Sequence, residues 1–467
     1  MKKIIALLLA LVLVFSLVAC NGGGAGDDAT PTPSGDTQPT GGEEADLTEG
    51  GKYMNYPGVT NIDKYKLQAF SDYGKEVVIL TTDEIIQDVE AFEAARDVYD
   101  IKVVNSIVSP DEYTTKFLAM YMGGESPDVA NLGFAINMIN KGYLEPLDNH
   151  IDFSLGIWEQ IKPSIDSLKY NDHIWTVSNF PARWDFVWWN ADIFEELGVK
   201  TPQEYYDEGN WTWETYVDCL KATTVDNDAD GIPEIYGAGI EDPYMFIAGT
   251  GKDFVSINAD GTVTNNVLTE EIARAINFYT DVKVNSGGVY DGSDLKEQFA
   301  QGKLAMCSAG AWYRVAFPDL IKDGVARVVP YPRDAAAGGT YYLKESFGGS
   351  VMPSNAKNKT GAAAYLSASR YNKLYFDLDP ERAEELEALT IDEQIEKMGW
   401  TLELERWTYA ELYSDKFVPT PMHYGSFTLT DWWGDIFFRP QIGEPWATIA
   451  QELAPQFDER IAEVLES

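Results

Sequence analysis

The chain has 467 residues, of which 75 are acidic and 35 are basic, so its formal net charge is −40. This acidity argues against nucleic acid or an anionic membrane surface as a partner and fits a neutral or cationic ligand better. A surface that merely keeps the protein in solution would show the same acidity, and the charge alone does not separate these explanations.

The N-terminus reads as an export signal. Lys2 and Lys3 precede an almost wholly apolar stretch, residues 4–18, that is short for a membrane span. Leu17-Val18-Ala19-Cys20 resembles a lipobox, which implies a signal peptide over residues 1–19 and lipidation of the Cys20 sulfur. The alternative is an uncleaved anchor helix with an incidental cysteine.

The following segment predicts a flexible tether over residues 20–59. It is rich in Gly, Pro, Thr, Asp and Glu, and residues 21–51 contain almost no large apolar side chains, so ordering this stretch would bury too little surface. About 410 of the 467 residues then remain, which suits two lobes rather than one small core.

The next part of the chain predicts an α/β lobe. Strands are predicted over 76–82, 101–104 and 128–132. They alternate with a helix that carries Ile85, Val89, Phe92 and Tyr99 on one side and with a second helix over 111–122. In such sheets ligands collect beyond the carboxyl ends of the strands. This places Asp83, Glu84 and Phe134 near a ligand.

An aromatic segment, residues 180–189, leads into a series of helix starts. Trp184, Phe186 and Trp188 have strand spacing, so one face of an extended segment would carry three rings. Helix caps are then predicted in a row: Asn190, Thr201 followed by Pro202, and Thr212, with Gly198 ending the first helix.

The order of these motifs resembles that of extracellular solute-binding proteins, the sugar-binding family that delivers ligands to ABC importers. Ile174–Val177, Trp188–Phe194, Leu197–Val199 and Asn210–Trp213 follow one another as in the crossover region of that family. Further resemblance lies in residues 123–148, 299–312 and 347–366.

The resemblance implies an α/β, periplasmic-binding-protein-like type II fold, with two α/β lobes, a hinge and an interlobe ligand cleft. The expected first lobe takes residues 60–184 plus 346–380, and the second takes 185–345 plus 381–467. It further implies a monomeric, lipid-anchored receptor on the outer face of the cell membrane. The receptor would bind a carbohydrate, with an oligosaccharide preferred, and deliver it to ABC transporter permease subunits.

The ligand site is expected to combine aromatic rings with carboxylates, because rings stack on the apolar face of a sugar while carboxylates accept its hydroxyls. Trp312 is the leading candidate, with packing between helix and sheet as its alternative. The full set of predicted ligand residues is Asp83, Glu84, Phe134, Trp184, Asp185, Asp242, Tyr244, Trp312, Phe347, Gly348, Tyr424, Trp432 and Trp433.

One acidic loop has the spacing of a calcium site. Asp226, Asp228 and Asp230 alternate before a glycine, and the carbonyl of Ile232 and the carboxylate of Glu234 could add oxygens. Gly237 stands where a bidentate glutamate is usual. A structural calcium ion and an acidic surface turn both remain explanations, and no other cofactor is expected.

Three rival explanations stay open at this stage. Cys219 and Cys307 could form a disulfide, although their apolar surroundings favour buried free thiols. A glycan-acting enzyme would also use carboxylates beside aromatic residues, but the sequence contains no G-x-S-x-G or H-E-x-x-H motif, and a binding protein is expected. The acidity keeps a polyamine or other cationic solute as an alternative ligand.

Overall fold

The computed structural model describes residues 67–82, 95–178, 185–345, 349–372, 380–412, 414–423 and 425–466. The strands are β1 Glu76–Thr82, β2 Lys102–Val108, β3 Val129–Asn131, β4 Leu144–Glu145, β5 Lys169–Tyr170, β6 His173–Ile174, β7 Asp185–Asn190, β8 Ala238–Ile240, β9 Val255–Ile257, β10 Val263–Asn265, β11 Val289–Tyr290, β12 Met306–Gly310, β13 Ala326–Val329, β14 Tyr341–Glu345, β15 Ser350–Pro353 and β16 Phe417–Pro421. The α-helices span Tyr113–Met122, Ile136–Asn140, Lys162–Ser167, Ala191–Leu197, Pro202–Asp207, Trp213–Thr223, Tyr244–Ala248, Glu270–Asn285, Leu295–Ala300, Pro318–Lys322, Lys359–Asn372, Pro380–Ala388, Ile391–Met398, Leu402–Leu412 and Trp446–Glu466.

The first large sheet has five strands in the order β2-β1-β3-β15-β4. The β1 strand runs parallel to β2 and β3, whereas β15 returns antiparallel to β3 and β4. Neighbouring residues of these strands alternate between two hydrophobic clusters: Val129 and Met352 face one, and Ala130 and Val351 face the other. Both faces are therefore covered, as a sheet flanked by helices requires.

The second large sheet also has five strands, in the order β11-β8-β12-β7-β13. Parallel pairs join β8 to β11 and β12, while β7 runs antiparallel to β12 and β13. All six residues of β7 are buried, so the predicted aromatic face of this strand, with Phe186 and Trp188, belongs to the core. The β14 and β16 strands form a separate parallel pair.

The chain leaves the first large sheet after Val177 and returns to it at Ser350, the first residue of β15. Val177 precedes the outgoing passage and Ser350 follows the returning one, and their backbones exchange hydrogen bonds of 3.1 and 2.8 Å. A Cβ built on Gly349 would lie 2.5 Å from Thr176 Oγ1, so only glycine permits this close approach of the two passages.

Local sequence rules explain the helices that follow β7. Asn190 accepts a hydrogen bond from the backbone of Ile193 at 3.2 Å, and Gly198 ends that helix with a φ of 64°. Thr201 and Glu204 form a capping box at the next helix. These predicted caps are confirmed.

The expected lobe boundaries stay a prediction. The strands do divide into two large sheets: β1–β4 and β15 form the first, and β7, β8 and β11–β13 form the second. No helix in the described part of the chain combines the length and the apolar character needed to cross a bilayer. Residues 1–59, which hold the predicted signal peptide, Cys20 and tether, lie outside the described residues.

Candidate functional site

Three predicted ligand residues meet at one edge of the second sheet. Asp185 begins β7 and pairs in register with Gly310, the last residue of β12. Asp242 and Trp312 each follow the end of a strand, β8 and β12 respectively. Because β8 and β12 are parallel and β7 opposes them, the start of β7 and the ends of the other two lie at the same edge. This is where α/β sheets bind ligands.

A lysine bridges the two carboxylates at this edge. The ammonium of Lys344, from β14, lies 2.9 Å from Asp185 Oδ2 and also binds Asp242. The side chains of Lys344, Asp185 and Asp242 are 11, 8 and 21% exposed. Burial opposes the charge of the ammonium, but Asp242 and Asp185 outweigh this effect and raise the pKa of Lys344 above its ordinary value. The lysine therefore stays charged.

Glu241 and Tyr331 are further polar residues near this ion cluster. Burial raises the pKa of the Glu241 carboxyl, although a hydrogen bond with Tyr313 and the charge of Lys296 act in the opposite direction. The hydroxyl of Tyr331 is buried near Asp185 and Asp242, and it has no hydrogen-bond partner among the described residues. Its proximity to these carboxylates makes Tyr331 a further polar group of the same site.

Trp312 presents a half-exposed ring next to the cluster, with 50% of the residue accessible. The ring lies directly over the backbone of Gly310, where a built Cβ would be 1.7 Å from Cζ3 of Trp312. Gly310 has a φ of −75°, so its backbone does not require glycine, and the requirement comes from the ring alone. An exposed ring beside buried carboxylates offers both a stacking surface and hydrogen-bond acceptors.

Two other predicted ligand residues are placed in the hydrophobic core. Phe134 packs edge-on against Tyr170 and His423, and its carbonyl accepts a hydrogen bond from Ser426 at 2.8 Å. Tyr244 is fully buried, and its ring contacts Phe254, Trp433 and Phe437. Their rings are covered by other aromatic residues instead of facing an open surface.

Trp432 and Trp433 are half-buried near the C-terminal helix. Trp432 packs on Phe457 under the guanidinium of Arg460 and donates its indole N–H to Gln456 at 3.1 Å. Trp433 contacts Tyr244, two residues beyond Asp242.

The remaining predicted ligand residues lie outside the described residues and stay predictions. They are Asp83, Glu84, Trp184, Phe347, Gly348 and Tyr424.

The three aspartates of the predicted calcium loop lie close together. Asp226, Asp228 and Asp230 each offer a carboxylate oxygen, and these atoms lie within 4.8 Å of one another. Each aspartate also accepts a backbone N–H of the loop, at 3.0, 3.2 and 2.8 Å respectively. Glu234 instead accepts the N–H of Asn227 at 2.8 Å, and Ile232 is exposed. Three carboxylates with this spacing fit a calcium ion chemically.

Cys219 and Cys307 are buried free thiols, so the predicted alternative of a disulfide does not hold. Burial raises the pKa of the Cys219 thiol to about 12. Burial also raises the pKa of the Cys307 thiol, which disfavours the nucleophilic thiolate form of both cysteines.

The sequence is also related to known proteins. The family model of the bacterial extracellular solute-binding proteins matches residues 87–372. Proteins described as binding proteins of Brucella abortus and Brucella suis are 27% identical over 294 residues, a match that covers 58% of this chain. The matched part spans 65% of the length of those relatives.

Several solved structures share the fold. The galacto-N-biose-/lacto-N-biose I-binding protein of the ABC transporter from Bifidobacterium longum is 14% identical, with 84% of this chain and 98% of that chain covered and a TM-score of 0.58. The GacH receptor of Streptomyces glaucescens is 18% identical, with 84% and 99% covered and a TM-score of 0.55. An ABC substrate-binding protein of Listeria monocytogenes is 16% identical, with 83% and 99% covered and a TM-score of 0.52.

The fold is therefore that of the periplasmic-binding-protein-like receptors, built from two α/β lobes, as predicted. The chain belongs to the bacterial extracellular solute-binding protein family. That family consists of solute-binding proteins, which agrees with the expectation of a binding protein and not an enzyme. The Listeria monocytogenes and Bifidobacterium longum structures are described as binding proteins of ABC transport systems.

Proposed function

We propose that this protein is a lipid-anchored extracellular receptor that captures an oligosaccharide in the cleft between its lobes and delivers it to an ABC permease. The observation that carries the proposal is the half-exposed ring of Trp312 beside the buried carboxylates of Asp185 and Asp242. Family membership supports the transport role.

The chemistry of the site suits a pyranose. The C–H face of the sugar would stack on the indole of Trp312, and this contact would exclude water from both surfaces. Its hydroxyls would donate to the carboxylates, which accept several hydrogen bonds each. Binding needs only the closing of two lobes around the ligand, and no covalent step is required.

Structures with the same fold bind related ligands. The Bifidobacterium longum protein was solved in complex with lacto-N-biose, the Streptomyces glaucescens receptor with acarbose, and the Listeria monocytogenes protein with cycloalternan. These ligands support a carbohydrate as the solute of this chain. The lipobox-like Cys20 and the tether over residues 20–59 support attachment to the outer face of the membrane.

The proposal is tested by isothermal titration calorimetry of the full chain with maltotriose, lacto-N-biose, acarbose and longer oligosaccharides. We expect saturable binding of one of these sugar classes by the wild type. Trp312→Ala should weaken that binding, and Trp312→Phe should restore part of it, because a phenyl ring still stacks.

Val315→Ala provides the control, because Val315 lies three residues after Trp312 in the chain and its side chain is exposed. It should leave the affinity unchanged. Absence of binding across the whole panel, or equal affinities of the wild type and Trp312→Ala, would contradict the proposed role of this edge.

We further propose that the Asp226–Asp230 loop holds a structural calcium ion away from the ligand. The convergence of three carboxylates supports this proposal. The ion would neutralise part of the loop's negative charge and take no part in ligand binding.

A further inference from the structure

In the ion cluster of Lys344, Asp185 and Asp242, the protein itself supplies the cation that pairs with the two carboxylates. The lysine ammonium occupies the space between two carboxylates, which is where the ammonium group of a cationic solute would bind. The Asp185 contact is 2.9 Å long, and Asp242 holds the same nitrogen. The ammonium of Lys344 therefore occupies the position in which the cation of a solute would pair with Asp185 and Asp242.

The lysine reaches this position from outside the second sheet. It lies on β14, which pairs with β16 in a register that sets Lys344 opposite Thr420. Along β14 the neighbouring residues Leu343 and Glu345 are buried, and Lys344 points to the other side of the strand. The Lys344 side chain is only 11% exposed, so a soluble cation cannot replace its ammonium without displacing a largely buried ion pair.

Charge decides which solutes the edge can accept. The ammonium of Lys344 offsets charge on Asp185 and Asp242, and the charge of Lys296 acts on the nearby Glu241. Two lysines therefore balance part of the acidity at this edge. The carboxylate oxygens still have lone pairs that the lysine does not use, and hydroxyl groups can donate to these.

We propose that Lys344 determines specificity at this site by excluding cationic solutes and reserving the two carboxylates for the hydroxyls of a neutral one. The inference rests on the proposed function and adds to it the charge class of the ligand. It also predicts that this site does not attract polyamines, although the chain has a net charge of −40.

The test compares the full wild-type chain with Lys344→Met by isothermal titration calorimetry. Methionine keeps an unbranched side chain of similar length and removes the charge. The probes are spermidine, as the cationic solute, and the neutral oligosaccharides maltotriose and lacto-N-biose. We expect about a tenfold or greater gain in spermidine affinity for Lys344→Met, because its ammonium can now pair with Asp185 and Asp242.

Lys162→Met is the matched control. Lys162 pairs with Asp166 at 2.7 Å, but these side chains are 50 and 40% exposed. The substitution removes the same charge from the surface, so it measures the nonspecific attraction of spermidine to a more acidic chain. The gain for Lys344→Met must exceed the gain for this control.

A second variant covers the case in which Lys344→Met does not fold. In Lys344→Met/Asp242→Asn only one carboxylate is left without its cation, which reduces the buried charge. Its spermidine affinity should still exceed that of Lys162→Met.

The outcomes separate the inference from the proposed function. Spermidine binding by the wild type as tight as by the Lys344 variants overturns the inference, and so does a folded Lys344 variant with no gain over the control. If the wild type binds no neutral sugar, the proposed function fails, whereas the spermidine comparison still decides the role of Lys344.

Discussion

Two groups of aspartates in this molecule differ in how their charges are balanced. Asp185 and Asp242 are largely buried at the edge of the second sheet and share the ammonium of Lys344. In the acidic loop, Asp228 and Asp230 are exposed and Asp226 is half-buried. Within the described residues no lysine or arginine pairs with the loop aspartates, which accept backbone N–H groups instead.

The difference follows from the cost of burying charge. A carboxylate taken out of water needs a cation at fixed distance, and the protein supplies that cation from its own chain. Carboxylates in water need no partner and can recruit a cation from solution. The same residue type can therefore form a site closed to cations in one place and a site suited to calcium in another.

The largest expected effect concerns the stability of the buried group. Lys344→Met should lower the free energy of unfolding by about 3–5 kcal/mol, because it leaves two buried carboxylates without their cation. Lys162→Met should cost about 1 kcal/mol or less, since its ion pair is exposed. Urea unfolding followed by circular dichroism measures both. Equal losses would mean that burial does not distinguish these lysines.

The carboxylate of Glu145 is 19% exposed and forms ion pairs, and its lowered pKa predicts that the stability of the fold depends on pH. Its carboxylate contacts His150 at 3.0 Å and Lys359 at 2.7 Å, and the hydrogen bond with His150 is the main cause that lowers the pKa of Glu145 to about 2. A depressed pKa stabilises the fold fully above the ordinary value of 4.5, and this contribution falls as the pH drops from 4.5 towards 2.

Glu145→Gln should therefore lower stability by about 2 kcal/mol at pH 7, and the difference from wild type should shrink as the pH falls towards 2. The control is Glu125→Gln, whose partner Lys357 lies 2.9 Å away in an exposed pair. It should show little effect at either pH. A difference between Glu145→Gln and wild type that stays constant with pH would contradict the assigned ion pairs.

The role of the Trp312 ring in ligand binding can be tested by substituting Gly310, over which the ring lies. Gly310→Ala places a Cβ where the Trp312 ring now lies, so the ring must move, and sugar affinity should fall about tenfold, or about 1.4 kcal/mol. Calorimetry with the sugar that binds wild type measures the loss. Gly434→Ala is the control, because a Cβ there meets nothing within 4 Å.

The double variant Gly310→Ala/Trp312→Ala sharpens this result. If glycine acts only by making room for the ring, the double variant should bind no more weakly than Trp312→Ala alone. Additive losses would show that Gly310 contributes in another way.

The smallest expected effect is at the exposed loop. Calcium at about five times its Kd should stabilise the wild type by about 1 kcal/mol, and a chelator should reverse this. Thermal unfolding with and without calcium measures it. Asp228→Asn should abolish the response, whereas Asp260→Asn, at another exposed turn, should retain it. A calcium response that survives Asp228→Asn would remove the ion from this loop.

Local features of the fold could be predicted from the sequence because their causes are local. The caps at Asn190 and Thr201 and the helix end at Gly198 depend on neighbours within a few residues. The strand order could not be derived in this way, since it depends on pairs that are distant in the chain. Resemblance to a known family supplied the expected fold instead.

The site was predicted less completely, and for a physical reason. Asp185, Asp242 and Trp312 were identified, but Lys344 was missed, because its partner Asp242 lies 102 residues away and a lysine in a strand normally faces water. Tyr244 illustrates the opposite problem. A core and a sugar site both favour aromatic residues, and only packing on Phe254 and Phe437 separates the two roles.

The two buried thiols have a practical consequence for following ligand capture. Because Cys219 and Cys307 are covered, a chain in which Cys20 is substituted would expose no native cysteine of the described residues to a labelling reagent. Val315→Cys would then provide a single attachment point beside Trp312, at a residue that is 72% exposed. An environment-sensitive dye at that position would turn the receptor into an optical sensor of its own solute.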